Sequence, residues 1–327
     1  LDLVFQRGST MHSLVPRDEN GRSNYRMGAL RPNQFGVDDA HVVEYVASIA
    51  EASGEFLQIV NFNLAGQQYA VAGTVAGLKA LEEDASKRAA ERGGKRPFMY
   101  VPGIDVPFHS TVLRSGVADF RTKLDERIPA QIDPAKLVGR YIPNLVARPF
   151  ELTREFAQSI LDVVPSDTVR ELLETEGAWD GALATPGVLT RTLLIELLCW
   201  QFASPVRWIE TQRVLLSTEE AAPGVAGLGV DQVIEVGLGA APTLANLASR
   251  TLLAPEFALS RVDVFNVQRD EPRVYATDVA VIEDEEDEEI TPAAPAAEAA
   301  PTPAPAAPAA EAAPAPAPVA ATGGPSG

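Results

Sequence analysis

The sequence predicts an α/β protein, and three observations carry that prediction. Apolar spacing switches repeatedly between the strand and helix periods along the first 280 or so residues. Within them, residues 25–103 run strand, helix, strand, strand, helix, strand, the order of a ferredoxin-like split βαβ unit. From Glu283 onward the composition is no longer that of a chain that can fold.

The elements follow in chain order. Leu1–Phe5 reads as the middle of an apolar helix with no capping residue before it, so the N-terminus is expected to be cut from something longer. Met27–Leu30 is a short strand ended by Arg31-Pro32-Asn33. Asp38–Ala52 carries Val42, Val43, Val46, Ile49 and Ala50 at helical spacing. Phe56–Phe62 and Gln68–Ala72 flank the Leu64-Ala65-Gly66 turn and predict a hairpin. Val75–Glu91 is a second amphipathic helix closed by Gly93-Gly94, and Pro97–Val101 is the last strand of this unit. Thr111–Arg127 is helical, Tyr141–Val146 a short strand, and Thr153–Val163, Thr168–Glu174 and Val188–Trp200 are helices. Pro205 is placed to open a further helix, where its missing N–H costs nothing. Val233–Val236 is a buried strand, Pro242–Leu252 a helix and Val262–Phe265 a final strand.

The chain has 327 residues and a formal charge of −18. Nine carboxylates and no Lys or Arg lie in residues 283–327, so half of that charge belongs to the tail. An acidic run followed by Ala, Pro, Thr and Gly buries too little apolar surface to offset its ordering entropy and is expected to be disordered. The body keeps a modest negative excess without a basic stripe, which argues against nucleic acid as a partner. No apolar run is long enough to cross a membrane and no signal peptide opens the chain. The lone Cys199 sits in an apolar helix, reads as an inert core thiol and fits a reducing, cytoplasmic setting.

Five segments, read together, carry a family resemblance: Gln6-Arg7-Gly8-Ser9-Thr10-Met11, Val60-Asn61-Phe62-Asn63 with Gly66-Gln67, Val106-Pro107-Phe108-His109-Ser110, Gln201 through Trp208, and Ile234-Glu235-Val236-Gly237-Leu238-Gly239. In order and spacing they resemble the malonyl-CoA:acyl-carrier-protein acyltransferase family. Val15–Tyr25, Val138–Asn144 and the Ala/Pro tail are similar to its malonyl/palmitoyl transferase branch in bacterial single-chain fatty acid synthases. The resemblance implies an α/β-hydrolase-like acyltransferase core interrupted by the ferredoxin-like unit. The expected organisation is core over residues 1–24, the ferredoxin-like subdomain over 25–103, core again over 104–282, and a disordered linker over 283–327 leading to an acyl carrier domain.

The same resemblance implies a ping-pong acyl transfer, malonyl passing from CoA to the carrier protein and long acyl chains back to CoA. A serine in a Gly-His-Ser-x-Gly turn attacks the thioester and a histidine shuttles its proton. His109 matches that histidine and the Gln201 backbone carbonyl the group that orients it. Arg7 matches the arginine that pairs with the malonyl carboxylate, a task suited to a planar, always charged guanidinium. Phe108 is expected to narrow the acyl pocket, and Asn61, Asn63 and Gln67 to order the cleft. Without the resemblance, His109 reads as a structural loop histidine, Arg7 as a surface helix residue, Phe108 as core, Gln201 as a helix end, and the hairpin polar residues as turn formers.

No Gly-x-Ser-x-Gly occurs in the sequence, so this chain by itself is expected to be inactive. No cofactor is expected in the domain: malonyl-CoA and acyl-CoA are substrates, and the phosphopantetheine arm belongs to the tethered carrier domain. Neighbouring synthase domains and a homo-oligomeric full-length protein are the remaining expected partners. The competing expectation is a non-catalytic scaffold with a flexible acidic tail. Two motifs are set aside. His12 and His41 have charged neighbours and read as solvated. Gly237-Leu238-Gly239 mimics a dinucleotide fingerprint, but Pro242 stands where the third glycine belongs.

Overall fold

A computed structural model describes residues 2–237, 239–240 and 243–275. The acidic run and the Ala/Pro tail lie outside the described residues, as does the expected boundary at residue 283. Helix α1 (Asp2–Leu14) leads into strand β1 (Tyr25–Leu30), followed by α2 (Val42–Ser53), β2 (Leu57–Leu64), β3 (Gln68–Thr74), α3 (Val75–Arg92) and β4 (Phe98–Tyr100). Strand β3 is central. It pairs antiparallel with β1, from Tyr25↔Thr74 to Leu30↔Tyr69, and with β2 on its other side, while β4 pairs antiparallel with β1.

Alternation drives this layer. Leu57, Ile59, Tyr69 and Val71 face Val42, Tyr45 and Val46 of α2 and Leu78, Leu81, Ala85 and Ala89 of α3 in one buried core. Thr74 caps α3 by accepting from the Gly77 N–H at 3.1 Å, and Gly93 ends it in the left-handed conformation, φ 74°, that glycine adopts without a Cβ clash.

The second layer is helical: α4 (Val117–Arg127), α5 (Arg154–Leu161), α6 (Asp167–Glu174), α7 (Ala178–Leu183) and α8 (Pro186–Gln201). Phe120, Leu124, Phe150, Phe156, Ile160, Leu193, Leu197 and Phe202 bury together, and α1 joins them through Met11. Thr153 and Ser166 cap α5 and α6, each accepting an amide N–H at 3.1 Å. From α8 the chain passes through β5 (Val206–Arg207) into α9 (Trp208–Leu216), a small hairpin of β6 (Glu220–Ala222) and β7 (Val225–Ala226), then β8 (Gln232–Glu235), α10 (Leu244–Thr251), β9 (Asp263–Asn266) and the short α11 (Glu271–Val274). Strand β5 runs parallel to β2, Asn61 opposite Val206, which extends the sheet order to β4-β1-β3-β2-β5. Among the described residues no helix is long and apolar enough to cross a membrane.

Several expectations need correction. Residues 141–146 form a turn rather than a strand: Pro143 has no N–H to offer a ladder, and its carbonyl accepts from Val146 and Ala147 at 3.3 and 2.9 Å. Pro205 does not open a helix, because the sheet edge captures Val206 and Arg207 first and α9 starts only at Trp208. The segment from Thr111 begins as a 3₁₀ turn through Gly116 before α4 takes over. Helix α7 and the β6–β7 hairpin were not expected. The strand around Val233 is present as β8 but is not buried: Ile234 and Val236 are exposed, and among the described residues only β9 pairs with it.

Candidate active site

His109 sits at φ 61°, in a region that costs most side chains about 1 kcal/mol or more. The surrounding backbone fixes it there. Its N–H donates to the Phe202 carbonyl at 3.1 Å, and Phe108 N–H donates to Val106 at 2.9 Å. The buried Ser110 hydroxyl donates to Pro107 at 2.7 Å. Beyond the histidine, Gln58 Oε1 accepts from both Thr111 N and Thr111 Oγ1, at 2.9 and 3.0 Å, which ties the loop to β2. The left-handed residue thus turns the chain sharply and aims the imidazole back at the end of α8.

There, Nδ1 lies 2.9 Å from the Gln201 carbonyl oxygen. A carbonyl can only accept, so Nδ1 carries the proton and Nε2 keeps a free lone pair. Burial pulls the His109 pKa down to about 4; the Gln201 carbonyl opposes this, the Arg7 charge adds to it, and the Ser204 backbone opposes it. The imidazole is neutral at pH 7 and oriented to accept a proton at Nε2.

Arg7 faces that nitrogen. Its Nη2 donates toward His109 Nε2 at 3.4 Å. Burial lowers its pKa, and among the described residues no carboxylate pairs with it. Helix α1 is moored to α4 by Arg127–Asp2 at 2.7 Å and by Lys123 Nζ donating to Thr10 Oγ1 at 2.8 Å, which sets Arg7 over the imidazole.

A cavity of about 390 Å³ opens at this point, lined by Arg7, His109, Gln201, Tyr141 and Asn144 at its polar end. Leu3, Val4, Phe120, Leu124, Leu198 and Val206 form its apolar walls. The sequence reading missed Tyr141 and Asn144. In the sequence Val138–Asn144 carries only a family resemblance and Tyr141–Val146 reads as a strand; Pro143 is the signal that a loop, and so a site wall, stands there.

The structure brings Arg7, His109 and Gln201 together around one cavity, which Phe108, Asn61, Asn63 and Gln67 do not line. Phe108 packs between two buried clusters and does not line the cavity. Asn61 lies on β2 opposite the cavity residue Val206. The Asn63 carbonyl accepts from Gln212 Nε2 at 3.0 Å, and Gln67 lines a different cavity of about 430 Å³ with Gln212 and Arg213. The β2–β3 ladder is irregular at two places, between Ile59 and Asn61 and between Phe62 and Leu64, and Asn63 lies within the second of them.

The set-aside motifs have their own partners. His12 accepts from Arg17 at 3.0 Å and His41 pairs with Asp38 at 2.6 Å, both exposed. Cys199 is buried, and burial pushes its thiol pKa up. At the first turn of α10, where a dinucleotide pyrophosphate would sit, Glu235 already accepts the N–H groups of Thr243, Leu244 and Ala245, each at 3.1 Å.

No family model matches the chain. Fatty acid synthase 2 of Mycosarcoma maydis is 39% identical over 290 residues, covering 78% of this chain and 7% of that protein. The fatty acid synthase subunit beta of Saccharomyces cerevisiae is 34% identical over 216 residues, covering 53% of this chain and 10% of that one. The chain therefore spans a tenth or less of these curated relatives. Among solved structures, FabD from Acinetobacter baumannii aligns at 18% identity and TM-score 0.50 over 84% of this chain and 62% of that chain. The acyl-carrier-protein-S-malonyltransferase of Bartonella henselae aligns at 21% and 0.50 over 84% and 64%.

Proposed function

We propose that this chain, a homologue of a segment of fungal fatty acid synthases with the mixed α/β fold of the malonyltransferases, supplies the base and the carboxylate clamp of an acyltransferase site. One observation carries the reading: a half-buried guanidinium that pairs with no carboxylate among the described residues faces the unprotonated Nε2 of an oriented, neutral histidine at a half-open cavity. Even partial burial of a cation without an anion carries a cost, and a purely structural scaffold gains nothing from it. A ligand carboxylate would remove that cost.

In the proposed reaction His109 Nε2 takes the proton of a serine hydroxyl contributed from outside residues 1–327. The serine oxygen attacks the thioester carbonyl of malonyl-CoA while Arg7 holds the free carboxylate. The C–S bond breaks, and the departing CoA thiolate receives the proton from His109. Transfer to the phosphopantetheine thiol of an acyl carrier domain repeats these steps in reverse order of donor and acceptor. The Gln201 carbonyl stabilises the imidazolium of each half-reaction. Leu3, Val4, Phe120, Leu124 and Leu198 offer the apolar wall that a long acyl chain needs. The domain acts without a cofactor of its own. The ferredoxin-like reading of residues 25–103 is supported by the antiparallel order β4-β1-β3-β2 with both helices against it. The single-chain synthase setting, with a carrier domain beyond the Ala/Pro tail, rests on the sequence stretches that resemble that branch.

The test is acyl loading in the complete protein. Arg7→Ala should lower malonyl loading by roughly a hundredfold, the scale of losing one charged contact to the reacting group, without lowering palmitoyl transfer. His109→Ala should abolish acyl-enzyme formation from both donors. Equal loss of both substrates in a folded Arg7→Ala protein would remove the clamp, and normal loading by His109→Ala would remove the base.

A further inference from the structure

We propose that Arg7 is also a cap on the base: without a carboxylate in the site its N–H occupies the His109 Nε2 lone pair, and a substrate carboxylate draws it off. This deepens the proposed function and rests on that reading. The geometry supplies the parts. Arg7 Nη2 points at Nε2 from 3.4 Å, while Nδ1 is committed to the Gln201 carbonyl at 2.9 Å, so Nε2 is the one nitrogen left to act and Arg7 faces it. A lone pair that accepts from a guanidinium is a poorer proton acceptor than a free one, and a neighbouring cation disfavours the imidazolium that catalysis must form.

The other walls bring no competing charge. Helix α4 presents Phe120 and Leu124, α8 presents Leu198 and Gln201, and the 141–146 turn presents Tyr141 and Asn144, none of them charged at neutral pH. The acid nearest along α8, the buried Glu196, is fully engaged: it accepts from Arg121 at 2.6 and 2.9 Å, from Ser166 Oγ at 2.7 Å and from Trp200 Nε1 at 3.2 Å. A ligand carboxylate is thus the group able to pair with Arg7. Seating it would turn the guanidinium toward the ligand, neutralise its charge and release Nε2 at the moment a carboxylated donor is present. A neutral acyl donor finds the base still capped, so the device favours malonyl-type donors in the rate of acyl transfer as well as in binding.

The 327-residue chain holds three histidines, so their ring nitrogens, and the arginine Nε groups beside them, can be followed by NMR after histidine and arginine ¹⁵N labelling. The probes are malonic acid monomethyl ester, with one free carboxylate, and dimethyl malonate, with none. The half-ester should raise the His109 titration midpoint by on the order of one unit and move the Arg7 Nε resonance, whereas the diester should change neither. Arg7→Ala should show the raised midpoint without ligand and no further response to the half-ester; Arg7→Lys serves if the alanine variant does not fold, and should lose most of the response because a lysine lacks the planar fork. If the half-ester moves Arg7 but leaves the His109 midpoint unchanged, the cap is refuted and the carboxylate site stands. If it moves neither residue at saturation, the carboxylate-site reading itself falls.

Discussion

At the scale of single residues, the consequences of burying His109 and Arg7 side by side can be read in the pH dependence of stability. His109 has a folded pKa of about 4 against an ordinary value of 6.5. Between these values the unfolded chain binds a proton at this residue and the folded chain does not, so folding loses free energy as pH falls from 6.5 to 4 and the effect levels off below that. The loss should be on the order of 2–3 kcal/mol across that window. Asparagine tolerates a left-handed backbone and does not titrate, so His109→Asn isolates the effect. In urea melts the variant should be less acid-sensitive than the wild type by about this amount; parallel stability curves between pH 7 and 4 would show that the imidazole is open to protonation in the folded state.

At the scale of elements, the position of the base depends on where α8 ends. Glu196 fixes that helix from within, tying α4 through Arg121, the cap of α6 through Ser166, and its own last turn through Trp200, one residue before the carbonyl that holds His109. Glu196→Ala should cost about 3 kcal/mol, the low end for a broken buried ion pair because Arg121 remains 32% exposed and water recovers part of the loss. Glu196→Gln keeps two acceptor lone pairs and should cost less than half as much. Chemical denaturation of the two variants checks the ranking, and equal costs would mean that the charge, rather than the hydrogen-bond geometry, holds the helix.

At the scale of the whole molecule, the site lies where a sheet-and-helix layer meets a helical layer, each with its own buried cluster. The His109 loop is tied to both layers, to β2 through Gln58 and to the segment after α8 through Phe202, and β5 pairs that segment with β2. Leu81→Ala in the first cluster and Phe156→Ala in the second should each cost about 3–4 kcal/mol. Because they share no buried neighbours, the double variant should show their sum to within about 0.5 kcal/mol in equilibrium melts. A coupling above about 1 kcal/mol would show that the two layers are energetically one core.

The local signals were legible in the sequence. The βαββαβ order, the Gly93 stop and the Pro-Phe-His loop follow from spacing, backbone permissiveness and turn chemistry, which neighbouring residues decide among themselves. Arg7, His109 and Gln201 could be named one by one through the resemblance of their motifs. What tertiary structure alone decided was their meeting, since residues separated by 102 and 92 positions touch only through packing of α1, α4 and α8. Packing also overruled local preference. An open sheet edge took Val206 and Arg207 from the helix that Pro205 signals, and the fold set Gln67 on a different cavity from the one beside His109 that the hairpin polar residues were expected to order. Tyr141 and Asn144 became site walls because Pro143 denies that stretch a strand, a local fact whose consequence depends on what the fold sets opposite it.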